Sequence, residues 1–361
     1  MKILIIGFAK IKYMPYLNLY LENIDREKND VHLIYWNRDL KPEETSHLEN
    51  ITKHEFVCLQ QDDVSKFSKI GSFLKFRKFA KKVLKEKYDF IIILHSLPGV
   101  ILLKELVMKY KQKYIFDYRD FTYENIKLYK QIIHTLVKNS FKTFVSSDAF
   151  RKHLPEDENK IFTTHNVLST DISYNYSVNN GKSPKIRIGF WGFIREEEIN
   201  LEIIRKIGND IRFELHYYGR EQAVAEKLKE YVKKNGFQNV FFHGEYEPSD
   251  RYGFAQNTDI IHNIYAEKNM MLAMSNKYYD GVIFRIPQIL MTGSFMAENA
   301  EEKEIGFAVN PYSDTFAQDI YDYFQSIDMK QFSENCEDEK KRVLKENERI
   351  VKTICLIVKK K

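Results

Sequence analysis

The chain has 361 residues, which is enough for two domains that each bury their own core. Its 56 basic and 51 acidic side chains leave a net charge of only +5, and no zinc-finger or RNA-binding signature is present, so we expect no nucleic-acid partner. The three cysteines form no CxxC pair, and the apolar stretches are short or interrupted, so we expect a reduced, cytoplasmic protein without a membrane span.

Short apolar strands alternate with helical segments from the start of the chain. The first strand, KILIIG, runs into Gly7. Further strands are predicted at residues 31–36, 90–94, 114–117 and 143–146, and helices at residues 16–24, 73–87, 100–110 and 123–138. A second strand that runs into glycine, KIRIGFWG, begins at Lys185, and FELHYYG, NVFFHG, DIIHNIY, IPQIL and GFAVN follow it with helices between most of them. A charged helix from about Glu334 closes the chain.

This alternation predicts an α/β fold of two Rossmann-like domains that face each other across a cleft, because strands separated by helices form parallel sheets covered on both faces. The polar segment SYNYSVNNGKSP, residues 173–184, is typical of a linker. We expect domains at residues 1–178 and 179–335, and a C-terminal helix, residues 336–361, that packs back on the first domain. Ligands of such sheets bind at the carboxyl ends of the strands, so the cleft suits a donor on one side and an acceptor on the other.

A dinucleotide cofactor is not expected on these domains. Gly7 is followed by FAK and Gly192 by FIR, so neither strand leads into a GxGxxG fingerprint, and no P-loop is present.

Motifs along nearly the whole chain follow one familiar order. DYRD (residues 117–120), FVSSDAFRKHL and THNV lie in the first half, and IGFWGFIR, ELHYYGR and NVFFHGEYEPSDRYGFAQNTDII lie in the second. NKYYDGVIFRIPQILM then resembles a K-x-x-E-(helix)-G-x-P-V-I block, and IGFAVNP resembles the segment that usually follows it. Together they resemble the GT-B glycosyltransferases, and among them the family 4-like bacterial sugar transferases. The resemblance implies a nucleotide diphosphate-sugar donor and no required metal ion or cofactor.

The resemblance places the donor at the front of the helix that begins within SNKYYDG. A helix N-terminus offers free N–H groups and a positive dipole end to a diphosphate. Lys277 adds a cation in the first turn, and Asp280 stands at the place of the family carboxylate that accepts hydrogen bonds from the ribose. Ser275 or Asn276 is expected to cap the helix, and Asn276 belongs to the predicted donor site. The alternative is that Lys277 and Asp280 form a solvated pair on a surface helix.

The sequence also departs from the family pattern. The first of two family glutamates, which contacts the donor sugar, is replaced by Leu272, and Arg285 and Ile286 precede Pro287 where small residues are usual. The sugar contact therefore comes from elsewhere, or the donor site is altered.

Three more residues are predicted to contact the nucleotide-sugar. Arg195 follows the turn after KIRIGFWG and is expected to bind the diphosphate, because arginine, lysine and helix ends must control the leaving-group charge where no metal does so. Its alternative is a surface arginine. Arg220 is a weaker candidate that also fits a structural role. Gly7 lies at the first strand end, where the backbone can approach the sugar closely.

On the acceptor side, Asp120 at the end of DYRD is the predicted acid/base or acceptor-orienting residue. Arg119 is a further acceptor-side candidate, although Asp117 or Arg119 also fits a buried structural pair. His95 follows the central strand FIIIL at its carboxyl end, where either a catalytic or a structural role is expected.

The segment FLKFRKFAKKVLKEK, from Phe73 to Lys87, combines apolar residues at helical spacing with a dense basic face. This pattern fits peripheral contact with an anionic membrane, or a core-packed helix with a solvated basic face.

These features predict a cytoplasmic, metal-independent glycosyltransferase that moves a sugar from a nucleotide diphosphate donor to a hydroxyl of a glycan or lipid-linked glycan, in the synthesis of a bacterial surface polysaccharide such as a capsule, exopolysaccharide or O-antigen. Retention follows from the resemblance; inversion is favoured instead if Asp120 is a true base. Two rival functions fit the same sequence: a nucleotide-sugar 2-epimerase of the same fold, and a catalytically silent glycan-binding or partner protein.

Overall fold

The computed structural model describes residues 1–46, 48–60, 69–167, 172 and 184–359. The chain divides into one unit formed by Met1–Leu168 with Leu344–Lys361 and a second unit formed by Ser169–Val343. The predicted domain boundary after residue 178 and the proposed linker up to residue 183 lie outside the described residues.

The first unit is built on a seven-stranded parallel sheet in the order β3-β2-β1-β4-β5-β6-β7. Its strands are β1 Lys2–Ile6, β2 Asp30–Asn37, β3 Ile51–Val57, β4 Phe90–Leu94, β5 Tyr114–Tyr118, β6 Lys142–Val145 and β7 Ile161–Thr163. Its helices are α1 Leu17–Leu21, α2 Ile70–Val83, α3 Ser96–Ile101, α4 Leu103–Lys109 and α5 Lys127–Asn139.

The second unit is built on a six-stranded parallel sheet in the order β10-β9-β8-β11-β12-β13. Its strands are β8 Ile186–Phe193, β9 Phe213–Arg220, β10 Val240–Phe242, β11 Ile260–Asn263, β12 Gln288–Met291 and β13 Phe307–Val309. The helices are α6 Glu197–Ile207, α7 Ala223–Asn235, α8 Arg251–Gln256, α9 Lys268–Leu272, α10 Asn276–Phe284, α11 Phe295–Glu302 and α12 Phe316–Ser326, followed by α13 Met329–Lys359. Helix α13 contributes to both units, and the division falls after Val343.

Both sheets have the strand order of a Rossmann fold, which confirms the predicted α/β class. The order reverses between β1 and β4 in the first sheet and between β8 and β11 in the second. Parallel strands end at one edge of their sheet, so the loops that follow these strands border the crevice where ligands of such sheets bind.

The hydrophobic core of the first unit contains both the strand FIIIL and residues of the C-terminal helix α13. All five residues of β4 are buried, as expected for a parallel strand covered on both faces. Ile350, Ile354 and Ile357 of α13, spaced along one helix face, belong to the same hydrophobic cluster as Leu17 and Tyr20.

Several predicted elements differ from the observed ones. Strand β3, ITKHEFV, was not predicted, because an edge strand with one solvated face carries Thr, Lys, His and Glu among its apolar residues. The short strand β7 was also missed, and the helix predicted at residues 100–110 is two helices, α3 and α4. Helix α13 begins before Glu334 because the Asp328 carboxylate accepts from the backbone N–H groups of Lys330 and Gln331, at 2.9 and 3.3 Å.

Within the part of the chain that the structure describes, no helix is both long and apolar enough to cross a membrane.

Candidate functional site

The ammonium group of Lys277 is buried at the front of α10. The residue is 4% exposed, and its Nζ bonds to the Tyr265 hydroxyl. Nζ also lies over two aromatic rings, 4.3 Å from the Phe190 centroid and 4.7 Å from the Tyr265 centroid. Among the described residues, no carboxylate forms an ion pair with Lys277. A buried charge without a counter-ion is costly, so the site is suited to an anionic ligand that would supply one.

The imidazole of His262 stays neutral beneath this cation. His262 is fully buried, and burial, followed by the positive charge of Lys277, lowers its pKa to about 3. Its Nδ1 accepts from the Ile264 backbone N–H at 3.2 Å, so Nε2–H donates to Asn200 Oδ1 at 3.3 Å. Of these two side chains, Lys277 therefore carries the positive charge.

Ser275 caps helix α10. Its Oγ accepts from the Tyr278 backbone N–H at 3.2 Å and donates to Asn263 Oδ1 at 2.8 Å. Of the two predicted caps, Ser275 fills this role, and Asn276 is the exposed first residue of the helix.

Asp280 lies one turn further along α10, and it too is buried, at 3% exposed. Its Oδ2 accepts from Trp191 Nε1 at 2.7 Å, and its Oδ1 pairs with the Arg251 guanidinium. A ribose hydroxyl would have to share these oxygens or replace Arg251, so the ribose contact of Asp280 stays a prediction. The alternative of a solvated Lys277–Asp280 surface pair is wrong, because both side chains are buried.

The loops after β8 and β11 are joined where the strand order reverses. Glu196 adopts a left-handed backbone conformation at φ +61°, and its Oε2 accepts from the backbone N–H groups of Ala266 and Glu267 at 2.6 and 3.1 Å. Burial raises the pKa of this carboxyl. The neighbouring Arg195 is 32% exposed, 3.6 Å from Glu267 Oε2 and 5.5 Å from the Tyr265 ring centroid. Arg195 and Lys277 thus both lie near Tyr265.

Two glycines let β8 and β9 approach each other near Lys277. Gly192 pairs with Gly219, at φ of +141° and +156°. A Cβ at Gly219 would lie 1.6 Å from the Gly192 carbonyl oxygen, so no other residue fits there. Arg220, the next residue, stacks its guanidinium on the Phe193 ring at 4.2 Å. Its predicted contact with the nucleotide-sugar stays a prediction.

Of the residues that depart from the pattern of the resemblance, Leu272 and Arg285 have different structural settings. Leu272 is the last residue of α9 and is half-buried. Arg285 caps the C-terminus of α10 at φ +53° and lies 3.6 Å from Glu337. A left-handed C-cap favours glycine, so Arg285 holds a strained backbone conformation at this place.

In the first unit, the structure brings together His95 and Asp120, which the sequence singled out separately. His95 follows β4 and Asp120 follows the neighbouring β5. The His95 Nδ1 lies 2.5 Å from Asp120 Oδ2, and both side chains are partly exposed. His95 is held at φ +79°, a strained conformation for a residue with a Cβ and one that is common at functional sites.

Sequence reasoning missed Tyr16, which bonds to the other nitrogen of this imidazole. Its hydroxyl contacts His95 Nε2. Tyr16 is buried, and burial raises its pKa well above the ordinary value of a tyrosine, so the phenol stays neutral. The Arg119 guanidinium lies 4.0 Å from the Tyr16 ring centroid. No sequence motif marks Tyr16, because it lies 79 residues from His95.

Asp117 and Arg119 form the buried pair that the sequence left open as an alternative. Arg119 Nη2 lies 2.9 Å from Asp117 Oδ2, which also accepts from the Tyr20 hydroxyl at 2.7 Å. Arg119 also donates to Asn166 Oδ1. The guanidinium thus supports Tyr16 and β5, and a direct contact with an acceptor stays a prediction.

Gly7 has a packing role in this structure. A Cβ there would lie 2.7 Å from the sulfur of Met14, and its N–H donates to the Ile34 carbonyl at 2.8 Å. The predicted approach of its backbone to a sugar is not tested by these contacts.

The basic segment that begins at Phe73 forms most of α2, followed by a short 3-10 turn. Phe76 and Ala80 are fully buried in the first unit, while Leu74 is 60% exposed. The exposed lysines of the segment are Lys75, Lys78, Lys81, Lys82, Lys85 and Lys87. Helix α2 is therefore packed on the core and keeps a solvated basic face.

Over the described ranges, no group of three or more His, Cys, Asp or Glu side chains is arranged to hold a metal ion.

Comparisons with known proteins identify the fold. No protein-family model and no curated protein matches the chain. The structure is similar to sucrose-phosphate synthase from Thermosynechococcus elongatus, with a TM-score of 0.74 and 11% identity over 98% of this chain and 97% of that one. It is also similar to Anabaena HepE in complex with UDP and glucose, with a TM-score of 0.68 and 13% identity over 98% and 99%. A putative UDP-N-acetylglucosamine 2-epimerase from Listeria monocytogenes gives a TM-score of 0.59 and 11% identity over 93% and 90%. The chain therefore has the GT-B fold.

Proposed function

We propose that this GT-B protein is a glycosyltransferase that takes a sugar from a nucleoside diphosphate-sugar. The observation that carries the proposal is the buried ammonium of Lys277, which has no carboxylate partner in the described chain and lies at the ligand-binding edge of the second sheet. A diphosphate is a doubly charged anion of the kind that such a position would stabilise. The N-terminus of α10 and the partly exposed Arg195 would add further positive potential.

The diphosphate is also the leaving group of the transfer. Negative charge builds up on it as the glycosidic bond of the donor breaks, so fixed cations and backbone N–H groups around it lower the barrier. In this proposal, Lys277 and Arg195 do that work without a metal ion. Leu272 offers no hydrogen bond to the sugar, so the sugar hydroxyls would be held by other groups, and the donor preference would differ from that of the family pattern.

The acceptor hydroxyl would lose its proton to His95. Asp120 accepts from Nδ1–H and stabilises the imidazolium that forms, which is the usual arrangement of a histidine base. Such a base supports inversion, whereas retention by resemblance needs no protein base. The anomeric configuration of the new glycosidic bond, read by NMR and compared with that of the donor, distinguishes the two.

The proposed acceptor is a glycan or lipid-linked glycan of a bacterial surface polysaccharide. The observation that supports a lipid-linked acceptor is the solvated basic face of α2 beside the exposed Leu74. This face would hold a cytoplasmic enzyme against the anionic inner surface of the membrane.

The proposal is tested by thermal-shift and turnover measurements with the same nucleotide panel. UDP or GDP should raise the melting temperature, since a ligand that binds only the folded state stabilises it, whereas NAD, ATP and pyridoxal phosphate should not. Incubation with UDP- and GDP-sugars should then release the nucleoside diphosphate. Stabilisation by NAD alone would contradict the donor site.

The same incubations separate the transferase from its two rivals. A 2-epimerised nucleotide-sugar would identify an epimerase. The observation that favours this alternative is the similarity to the Listeria monocytogenes structure. Binding without any product would identify a catalytically silent protein.

A further inference from the structure

We propose that Tyr16 is a positioning residue for His95 and that its hydroxyl occupies the place that an acceptor hydroxyl takes on Nε2. The contacts of Tyr16 with His95 do not depend on the proposed function. Only the statement that the incoming hydroxyl belongs to a glycosyl acceptor rests on it. The geometric basis of the inference is that both nitrogens of the imidazole are engaged, Nδ1 by Asp120 at 2.5 Å and Nε2 by the Tyr16 hydroxyl.

The two partners of His95 determine which nitrogen carries the proton in the neutral ring. A carboxylate only accepts, so Nδ1 must hold the hydrogen that points to Asp120. The buried Tyr16 phenol keeps its proton, so it donates to the lone pair of Nε2. This leaves the neutral imidazole as the Nδ1–H tautomer, which is the form that a base needs if Nε2 is to take a proton from substrate.

Tyr16 itself is held in place from several sides. Its ring is edge-to-face with His95 at 5.4 Å and lies 4.0 Å from the Arg119 guanidinium. Arg119 is in turn fixed by Asp117 and by Asn166. The phenol therefore presents its hydroxyl to Nε2 from a rigid, buried platform.

A hydroxyl is also the group that an acceptor would bring to Nε2. The His95 side chain is 24% exposed, so a ligand can reach the imidazole. The lone pair of Nε2, however, already accepts the hydrogen bond of Tyr16. The acceptor must displace the Tyr16 hydrogen bond, and this competition weakens acceptor binding while it protects Nε2 of His95 from electrophiles and from other proton donors. Removing the Tyr16 hydroxyl should release the lone pair without disturbing the Asp120 contact.

The test uses diethyl pyrocarbonate, which acylates an unprotonated imidazole nitrogen with a free lone pair. His95 of Tyr16→Phe should be carbethoxylated several-fold faster than His95 of the wild type, as followed by peptide mass spectrometry. Tyr20→Phe is the matched control, because its buried hydroxyl donates to Asp117 and does not contact His95. Equal rates in the wild type and Tyr16→Phe, with unchanged melting temperatures, would overturn the inference.

Two further readouts do not depend on reagent access. Nitrogen-15 NMR of the histidine rings should show the Nδ1–H tautomer for His95 in the wild type; the Nε2–H tautomer would overturn the inference. With a competent acceptor, Tyr16→Phe should lower the acceptor KM about two- to tenfold at nearly constant kcat, the scale of one neutral hydrogen bond. A hundredfold loss of kcat in a normally folded variant would instead make Tyr16 part of the proton path.

Failure of the proposed function has a different signature. His95 could be carbethoxylated faster in Tyr16→Phe and show the expected tautomer, while the protein never consumes a nucleotide-sugar. That result would support the role of Tyr16 and contradict the proposed glycosyltransferase activity.

Discussion

Lys277 holds its buried ammonium against the Tyr265 hydroxyl, and the described chain supplies no carboxylate to neutralise it. A buried ammonium without a counter-ion destabilises the free protein, and an anion that binds beside it removes this destabilisation. Lys277 therefore gives the donor-site proposal its most direct test.

Lys277→Met keeps the volume of the side chain and removes its charge. We expect UDP to bind about tenfold to a hundredfold more weakly, the value of one charge-assisted hydrogen bond, while uridine binding changes little. The melting temperature of the ligand-free variant should be unchanged or higher, because a buried unpaired charge is lost. Calorimetric titration with both ligands checks this.

Tyr265→Phe is the matched control, since it keeps the charge of Lys277 and the aromatic ring. Equal losses of affinity for UDP and for uridine in Lys277→Met would mean that Lys277 does not contact the diphosphate.

Asp120→Asn and Asp117→Asn should separate chemistry from folding within the DYRD segment. Asp120 is partly exposed, so its substitution should leave the melting temperature and UDP affinity nearly unchanged. Transfer should slow by roughly 10²–10⁴, because His95, the proposed proton acceptor, loses the carboxylate that orients it and stabilises its imidazolium. Asp117 is fully buried against Arg119, so its substitution should cost about 3–5 kcal/mol of stability. Wild-type turnover in a folded Asp120→Asn protein would exclude Asp120 from the reaction.

Arg285→Gly should stabilise the protein. Arg285 adopts φ +53° at the C-cap of α10, which costs a residue with a Cβ roughly 1–2 kcal/mol that glycine avoids. The ion pair with Glu337 is partly exposed and contributes at most about 1 kcal/mol. We expect a net gain of about 1 kcal/mol in urea unfolding. Arg285→Ala loses the ion pair but keeps the strained backbone, so it should show no gain, and a stabilised alanine variant would refute the explanation.

Stability should fall as the pH is lowered from neutrality. The pKa of His262 is lowered to about 3 in the folded protein, so below its ordinary value of 6.5 the unfolded chain binds a proton that the folded chain does not. The contribution of His262 to stability is therefore fully present above pH 6.5 and decreases down to about pH 3. At pH 5 the loss from this residue alone is about 2 kcal/mol. Burial lowers the pKa of His54, His216 and His243 in the same direction. Urea midpoints measured at pH 7 and pH 5 check the sign, and His262→Gln should show a shallower pH dependence; an identical slope would contradict the assignment.

The membrane proposal predicts binding to vesicles that contain phosphatidylglycerol, and none to phosphatidylcholine alone. Lys78→Gln with Lys82→Gln should weaken this binding roughly 10- to 30-fold, because each lysine near an anionic surface contributes about 1 kcal/mol. Both lysines are exposed on α2, so stability should hardly change. Lys233→Gln with Lys234→Gln on α7 removes the same charge from another exposed face and should have no effect. Equal losses in the two double variants would show that net charge alone drives the binding.

Much of the fold follows from patterns that are local in the sequence. A parallel strand buried on both faces must be continuously apolar, so FIIIL is recognisable as β4 without any knowledge of its neighbours. Gly7, which follows the first strand KILII, likewise marks a strand end, because a Cβ there would lie 2.7 Å from the sulfur of Met14. An edge strand such as β3 lacks this signal, because half of its residues face water.

The candidate sites depend on what the strand order brings together. His95 and Asp120 are neighbours because β4 and β5 pair in parallel and end at the same edge, and Tyr16 reaches them from the turn before α1. Lys277 is recognisable from its motif, but its burial and its contact with Tyr265 are properties of the packed unit. Sequence spacing specifies distances along the chain, whereas burial, counter-ions and hydrogen-bond partners arise only when segments distant in sequence are packed side by side.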